Sequence, residues 1–216
     1  MIYDYIFFDL DGTLTDPAEG ITNSFKHAIK SFGLEIPDYK TLLSFIGPPL
    51  INTWKENFGF DDAQAAEGVK KYREYFADKG LFENRVYDGI PELLQKLRAM
   101  GKKLVVATSK PEIYSVKIIE KFGLTKYFEA VCGSLEDETR GTKAEVVAYA
   151  IQKCGFSNPE KILMVGDRKY DVVGAAENGI KCCGVLYGYG NRAELEKAGV
   201  AYIAENLDDV YKIAVQ

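Results

Sequence analysis

Short apolar runs, each followed by polar or acidic residues and separated by stretches of helical spacing, constrain this chain more than any other feature. The first, Tyr5-Ile6-Phe7-Phe8, stops at Asp9. Four others share its character, over 103–107, 130–132, 162–165 and 181–186. Continuous runs of that length suit strands buried on both faces of a parallel sheet. Between them apolar residues recur at helical intervals. Leu93, Leu94 and Leu97 lie within 90–100, which is closed by Gly101, and the stretches 113–122 and 144–154 are likewise followed by Gly. The alternation predicts an α/β fold built on a doubly wound parallel sheet.

One segment breaks the alternation. Between Pro17 and Gly80 the pattern is helical, as in 21–32 and 63–76, and no strand is expected. Some sixty residues are too many for a simple crossover between neighbouring strands. They are expected to form an inserted all-helical domain over residues 17–81, with the α/β core made from 1–16 and 82–216. An insertion after the first strand would cover the crevice where such sheets bind ligands.

Composition narrows the function classes. The formal charge of −5 argues against binding of a nucleic-acid polymer, which needs clustered positive charge. Cys132, Cys154, Cys182 and Cys183 show no zinc spacing and lie in or beside apolar stretches, as buried thiols in a reducing compartment do. There is no secretory pattern at the start and no apolar run long enough to span a membrane. The expectation is a cytoplasmic protein without a membrane partner, either a monomer or a homodimer. His27 is the only histidine, which excludes any two-histidine zinc site.

Four clusters carry candidate chemistry. Asp9-Leu10-Asp11-Gly12-Thr13-Leu14 follows the first apolar run, so two carboxylates can converge beyond the strand end. Such a pair repels unless a cation or proton intervenes. Gly12 permits a turn that other residues resist, and a plain Asp-Gly turn is the structural alternative. Val165-Gly166-Asp167-Arg168-Lys169-Tyr170-Asp171 places two acids four apart, on one face if a helix begins at once. Helix capping competes here, explaining Asp167 better than Asp171. Thr108-Ser109 offers hydroxyls and amides at a strand-to-helix junction, suited to phosphate or to capping a helix that starts at Pro111. Lys143, at a predicted helix start, sits where a surface lysine is electrostatically unfavourable, and a solvated role is the alternative. Strand ends gather at one edge of such a sheet, so all four clusters are expected to meet.

Taken together, Asp9-x-Asp11-Gly12-Thr13, Thr108, Lys143 and Gly166-Asp167 with Asp171 resemble, in order and spacing, the motifs of haloacid dehalogenase-type phosphatases. The resemblance implies a Rossmann-like core and a helical cap that contributes to substrate choice. Ile46-Gly47-Pro48-Pro49-Leu50, Gly133-Ser134 and Arg140-Gly141-Thr142-Lys143 are similar to stretches of the phosphoglycolate phosphatase and 5′-nucleotidase branch.

The resemblance further implies Mg²⁺ held by the Asp9 carboxylate, the Asp11 backbone carbonyl and Asp167. Asp9 is then the nucleophile that becomes an aspartyl phosphate, and Asp11 the acid and base. Gly12, Thr108, Ser109 and Lys143 form the phosphate-binding set, with Asp171 orienting Lys143 or a metal-bound water. Lys110 and Arg140 are either substrate contacts or solvated. Trp54, Phe58 and Tyr72 either contact a nucleobase or form the core of the cap. The expected reaction is hydrolysis of a small phosphorylated metabolite, phosphoglycolate first and a nucleoside monophosphate second. A phosphosugar mutase, a receiver-type phosphoacceptor and a non-catalytic binding protein are the rival readings. A receiver would place its aspartate after an internal strand and needs no helical insertion.

Overall fold

The computed structural model describes residues 2–136 and 139–216. The chain forms two compact units. One runs up to Asp16 and resumes at Val86, and the other comprises Pro17–Arg85. A turn of π-helix, Phe76–Gly80, prolongs the last helix of the second unit.

In chain order the strands are β1 (Tyr5–Phe8), β2 (Thr15–Asp16), β3 (Arg85–Val86), β4 (Lys103–Pro111), β5 (Phe128–Ser134), β6 (Ile162–Gly166), β7 (Lys181–Val185) and β8 (Tyr202–Ala204). Six of them make one sheet in the order β5-β4-β1-β6-β7-β8, and its pairings are parallel. The chain builds outward from β1 to one edge and then returns to build the other. The C-terminal ends beside β1 are therefore the switch point at which such sheets bind ligands. Ile6, Phe7 and Phe8 are all fully buried. Successive strand side chains face opposite ways, so both faces of β1 are covered, as the unbroken apolar run implies.

The core unit's helices are α5 (Ile90–Ala99), α6 (Glu112–Lys121), α7 (Lys143–Cys154), α8 (Lys169–Glu177), α9 (Arg192–Lys197) and α10 (Leu207–Ala214), numbered in chain order after those of the second unit. α7 shows why they form where they do. Thr142 and Glu145 make a reciprocal capping box, and Gly155 ends the helix in the left-handed region. Its Val146, Val147 and Ala150 pack with Phe7, Val105 and Met164. Each large aliphatic buried this way contributes about 1.5–3 kcal/mol.

Two expectations need correction. The sheet has a sixth strand, β8, whose three residues are too few for a legible pattern. β4 runs on to Pro111 instead of stopping at Ala107, and it bulges on the way. Its pairing with β5 moves from Ala107↔Cys132 to Pro111↔Ser134, four steps along β4 against two along β5.

The second unit contains α1 (Ala18–Ser31), α2 (Tyr39–Ser44), α3 (Leu50–Phe58) and α4 (Asp62–Tyr75), with no strand before Arg85. Its centre is aromatic. Phe25 lies 4.9 Å from Tyr72 and 5.0 Å from Phe45, and Trp54 stacks on Phe60 at 5.5 Å. Trp54 is 0% exposed and Tyr72 is buried, while Phe58 packs on Trp54 at 4.9 Å. These rings are core, which removes Trp54 and Tyr72 as nucleobase contacts. His27 pairs loosely with Glu74 at 3.8 Å, both half exposed. Among the described residues no helix is long and apolar enough to cross a membrane.

Candidate active site

Asp9 is the first residue beyond β1, and its amide still donates to Val165 O of β6 at 2.9 Å. The chain then folds back tightly, with Leu14 N on Leu10 O at 2.9 Å and Gly12 N on Thr15 O at 2.8 Å. Gly12 has φ +83°, and a Cβ there would fall 2.2 Å from Asp167 Oδ2. Its amide is committed to the turn. Gly12 thus supplies clearance and turn geometry.

Asp167 follows β6 and is 0% exposed. The amide of Tyr189 donates to its Oδ2 at 2.7 Å, whereas Oδ1 has no hydrogen-bond partner among the described residues. The capping alternative comes out reversed. The helix caps at Arg168, and it is Asp171 that reaches back to Arg168 N, at 3.1 Å. Asp167 stands outside the helix and caps nothing. Thr108 does not cap α6 either, since Pro111 occupies that position without a side-chain cap. Thr108 is buried, and its Oγ1 accepts from Lys110 N at 3.3 Å. Val106 pairs with Phe8, so Ala107-Thr108 of β4 run on beside Asp9, with Ser109 half-buried beyond them.

Lys143 opens α7 yet is only 5% exposed. Its Nζ lies 2.8 Å from Asp9 Oδ1 and 2.8 Å from Asp171 Oδ1, and it donates to Ala107 O at 3.1 Å. Neither carboxylate oxygen is aligned as a hydrogen-bond acceptor, so these two are charge contacts. Burial works against the charge on Lys143, but Asp171 and Asp9 more than offset it and raise its pKa. Lys110 Nζ pairs with Asp11 Oδ2, and the lysine side chain is 7% exposed. That burial rules out the solvated role weighed for Lys110. Arg140 is engaged elsewhere, donating to Gly133 O at 2.8 Å, pairing with Glu112 at 3.2 Å and lying 3.6 Å from the Tyr149 ring centroid.

One carboxylate oxygen from each of Asp9, Asp167 and Asp171 falls within 4.8 Å of the others. With Asp11 there are four carboxyl groups against two lysine ammonium groups, an excess of acid in a largely buried space. Two like charges at that separation repel by about 3 kcal/mol at an effective dielectric of about 20. Burial, then Asp171 and Asp9, push the Asp167 pKa well up. Burial also raises Asp11, against the pull of Lys110. The orphaned Asp167 Oδ1, the all-oxygen donor set and the uncompensated charge fit a hard divalent cation.

The tyrosine-rich loop after β7 carries no acid, and the sequence reading passed over it. Besides the Tyr189 amide, Tyr187 Oη donates to Thr13 O at 3.1 Å and Tyr189 Oη to Asp16 Oδ1. A backbone donor leaves no side-chain signature. The paired glycines at 188 and 190 are the available sign that this loop approaches something closely.

Comparison with known proteins places the chain. The profile of haloacid dehalogenase-like hydrolases matches residues 6–185. A 5′-nucleotidase of Pseudomonas aeruginosa is 48% identical over 89% of this chain and 87% of its own. Tyrosine-protein kinase PtkA of Mycobacterium tuberculosis is 38% identical over 95% of this chain and 70% of its own. Phosphoglycolate phosphatase of Agrobacterium fabrum is 32% identical over 84% and 80%. A crystal structure described as a predicted phosphatase from Clostridium acetobutylicum superimposes with a TM-score of 0.94 at 45% identity, covering 99% of this chain and 98% of that one. With the sheet order and the clustered acids, these matches establish that the chain belongs to the haloacid dehalogenase-like hydrolase family and is one of its phosphatases.

Proposed function

We propose that the protein hydrolyses a small phosphomonoester in two steps through a phosphoryl group carried on Asp9, with Mg²⁺ as the divalent ion. The observation that carries this reading is the placement of Asp9 at the end of β1, 2.8 Å from Lys143, with the partly buried Asp11 two residues on. Mg²⁺, held by the Asp9 and Asp167 carboxylates and the Asp11 backbone carbonyl, would supply positive charge that lets an anionic carboxylate meet an anionic phosphate.

In the first step an Asp9 oxygen bonds to phosphorus as the ester oxygen departs. Asp11, whose raised pKa favours the protonated form, gives its proton to that oxygen. In the second step Asp11 takes a proton from water, whose oxygen bonds to phosphorus while the bond to Asp9 breaks. Inorganic phosphate leaves, and both carboxyl groups are restored. Lys143 balances charge on Asp9 throughout, and Asp171 holds Lys143 in place. The Thr108 hydroxyl and the Ser109 amide serve the equatorial phosphate oxygens, each such donor contributing about 10²–10³ in rate.

A nucleoside 5′-monophosphate is favoured over phosphoglycolate as substrate, since the nucleotidase relative is 48% identical and the phosphoglycolate phosphatase 32%. The kinase relative raises a second reading, phosphoryl transfer to a tyrosine. Phosphate release from nucleoside monophosphates, phosphoglycolate and sugar phosphates, measured with Mg²⁺, distinguishes them. The expected result is turnover on nucleoside monophosphates, abolished in Asp9→Asn with the fold intact. Near-normal turnover by that variant would refute the scheme, and transfer to tyrosine without phosphate release would favour the second reading.

A further inference from the structure

We infer that Lys110 is a positioning residue for the proton donor, holding the Asp11 carboxyl where it can reach the ester oxygen; this rests on the reading of Asp11 as the acid. Lys110 lies 99 positions from Asp11, and the bulge in β4 is what carries it there. The segment that bears it is braced on both sides. Lys110 N donates to Thr108 Oγ1 at 3.3 Å, and Ser115 Oγ of α6 donates to Pro111 O at 3.1 Å. Glu112 Oε2 accepts from Gly133 N of β5 at 3.1 Å and from Arg140 at 3.2 Å. Arg140 in turn donates to Gly133 O at 2.8 Å. The ammonium group thus starts from a fixed backbone and ends on Asp11 Oδ2, inside a space where its side chain is 7% exposed.

Only one oxygen of Asp11 is so held. Oδ2 takes the lysine, and Oδ1 has no hydrogen-bond partner among the described residues. A carboxyl pinned at one oxygen keeps the other for proton transfer, and placing a reacting group is worth orders of magnitude in rate. Lys143 and Lys110 divide the work: the first serves the nucleophile and the second the acid. The brace also gives a physical use to Glu112, Gly133 and Arg140, none of which touches a catalytic carboxylate.

The test uses leaving groups. The quantity to compare is kcat/KM, which reports the steps through formation of the phospho-Asp9 bond, for an alkyl phosphate and for 2,4-dinitrophenyl phosphate. The alkoxide needs a proton as it leaves and the dinitrophenolate does not. A positioned general acid contributes about 10²–10⁴, so Lys110→Met should lower the alkyl-to-aryl ratio of kcat/KM at least tenfold. Lys110→Arg should recover part of the ratio, and thermal unfolding should show both variants folded. A ratio unchanged in Lys110→Met, whether both rates fall together or neither falls, overturns the proposal. If Asp11→Asn leaves the ratio unchanged, it is the reading of Asp11 as the acid that fails.

Discussion

The amide of Tyr189 donates to Asp167 Oδ2 at 2.7 Å, so a loop 22 positions downstream sets the direction of the most deeply buried acid in the site. With Oδ2 occupied, Oδ1 is the oxygen left for a cation. Outer contacts of this kind orient metal ligands, and their loss typically lowers metal affinity about 10–100-fold.

Gly190 is the place to test that orientation. A Cβ at this position would lie 1.8 Å from the Asp167 carbonyl oxygen, a backbone atom that cannot swing away. Gly190→Ala should therefore weaken Mg²⁺ binding by about 10–100-fold, read by titration calorimetry, while circular dichroism stays native. Unchanged affinity would show that the loop does not govern Asp167.

Tyr189→Phe separates the amide from the phenol of the same residue. The variant keeps the amide on Asp167 and loses the hydroxyl donated to Asp16. Mg²⁺ affinity should stay within about twofold, while urea unfolding shows a loss of about 1.5–3 kcal/mol, typical of a hydrogen bond to a charged group. A large fall in affinity with no loss of stability would reverse the two roles.

The acid cluster predicts an unusual pH response without a divalent ion. Burial and Asp9 raise the Asp171 pKa to about 6 despite the opposing pull of Lys143, and Asp167 shifts in the same direction. A carboxyl with a raised native pKa binds protons more tightly in the folded state. Its contribution is fully present below the unfolded value and is lost as pH rises through the folded one. In EDTA, Tm should therefore fall between about pH 5 and about pH 7, with a shallower slope in Asp171→Asn. Saturating Mg²⁺ should reduce or invert the slope, because protonation then competes with the ion. A flat profile in EDTA would contradict the electrostatic account.

Trp54 tests the helical unit. It is 0% exposed, within 4.9 Å of Phe58 and stacked on Phe60 at 5.5 Å. Trp54→Ala should cost about 3–5 kcal/mol through lost burial and the cavity left behind. Urea unfolding followed by circular dichroism reads the loss, and a cost below about 1 kcal/mol would mean that the aromatic cluster collapses to fill the space.

Local sequence carried a good deal of this protein. Runs such as Tyr5–Phe8 and Ile162–Gly166 are apolar at every step because both faces of their strands are covered, a condition visible in a single stretch of chain. The acids that follow those runs mark strand ends, and parallel strands deliver their ends to one edge, which is how Asp9 and Asp167 could be singled out without coordinates. Tertiary structure decided what each group touches. Lys110 reads in sequence as either a substrate contact or a solvated lysine until the β4 bulge brings it to Asp11, and Asp171, which capping explained less well than Asp167, closes the capping box at Arg168 and holds Lys143. The Tyr189 amide has no letter of its own in the sequence. Burial and strand direction leave a local trace because neighbours along the chain share them. Contacts across a hundred positions leave none, because they exist only once the sheet has closed around them.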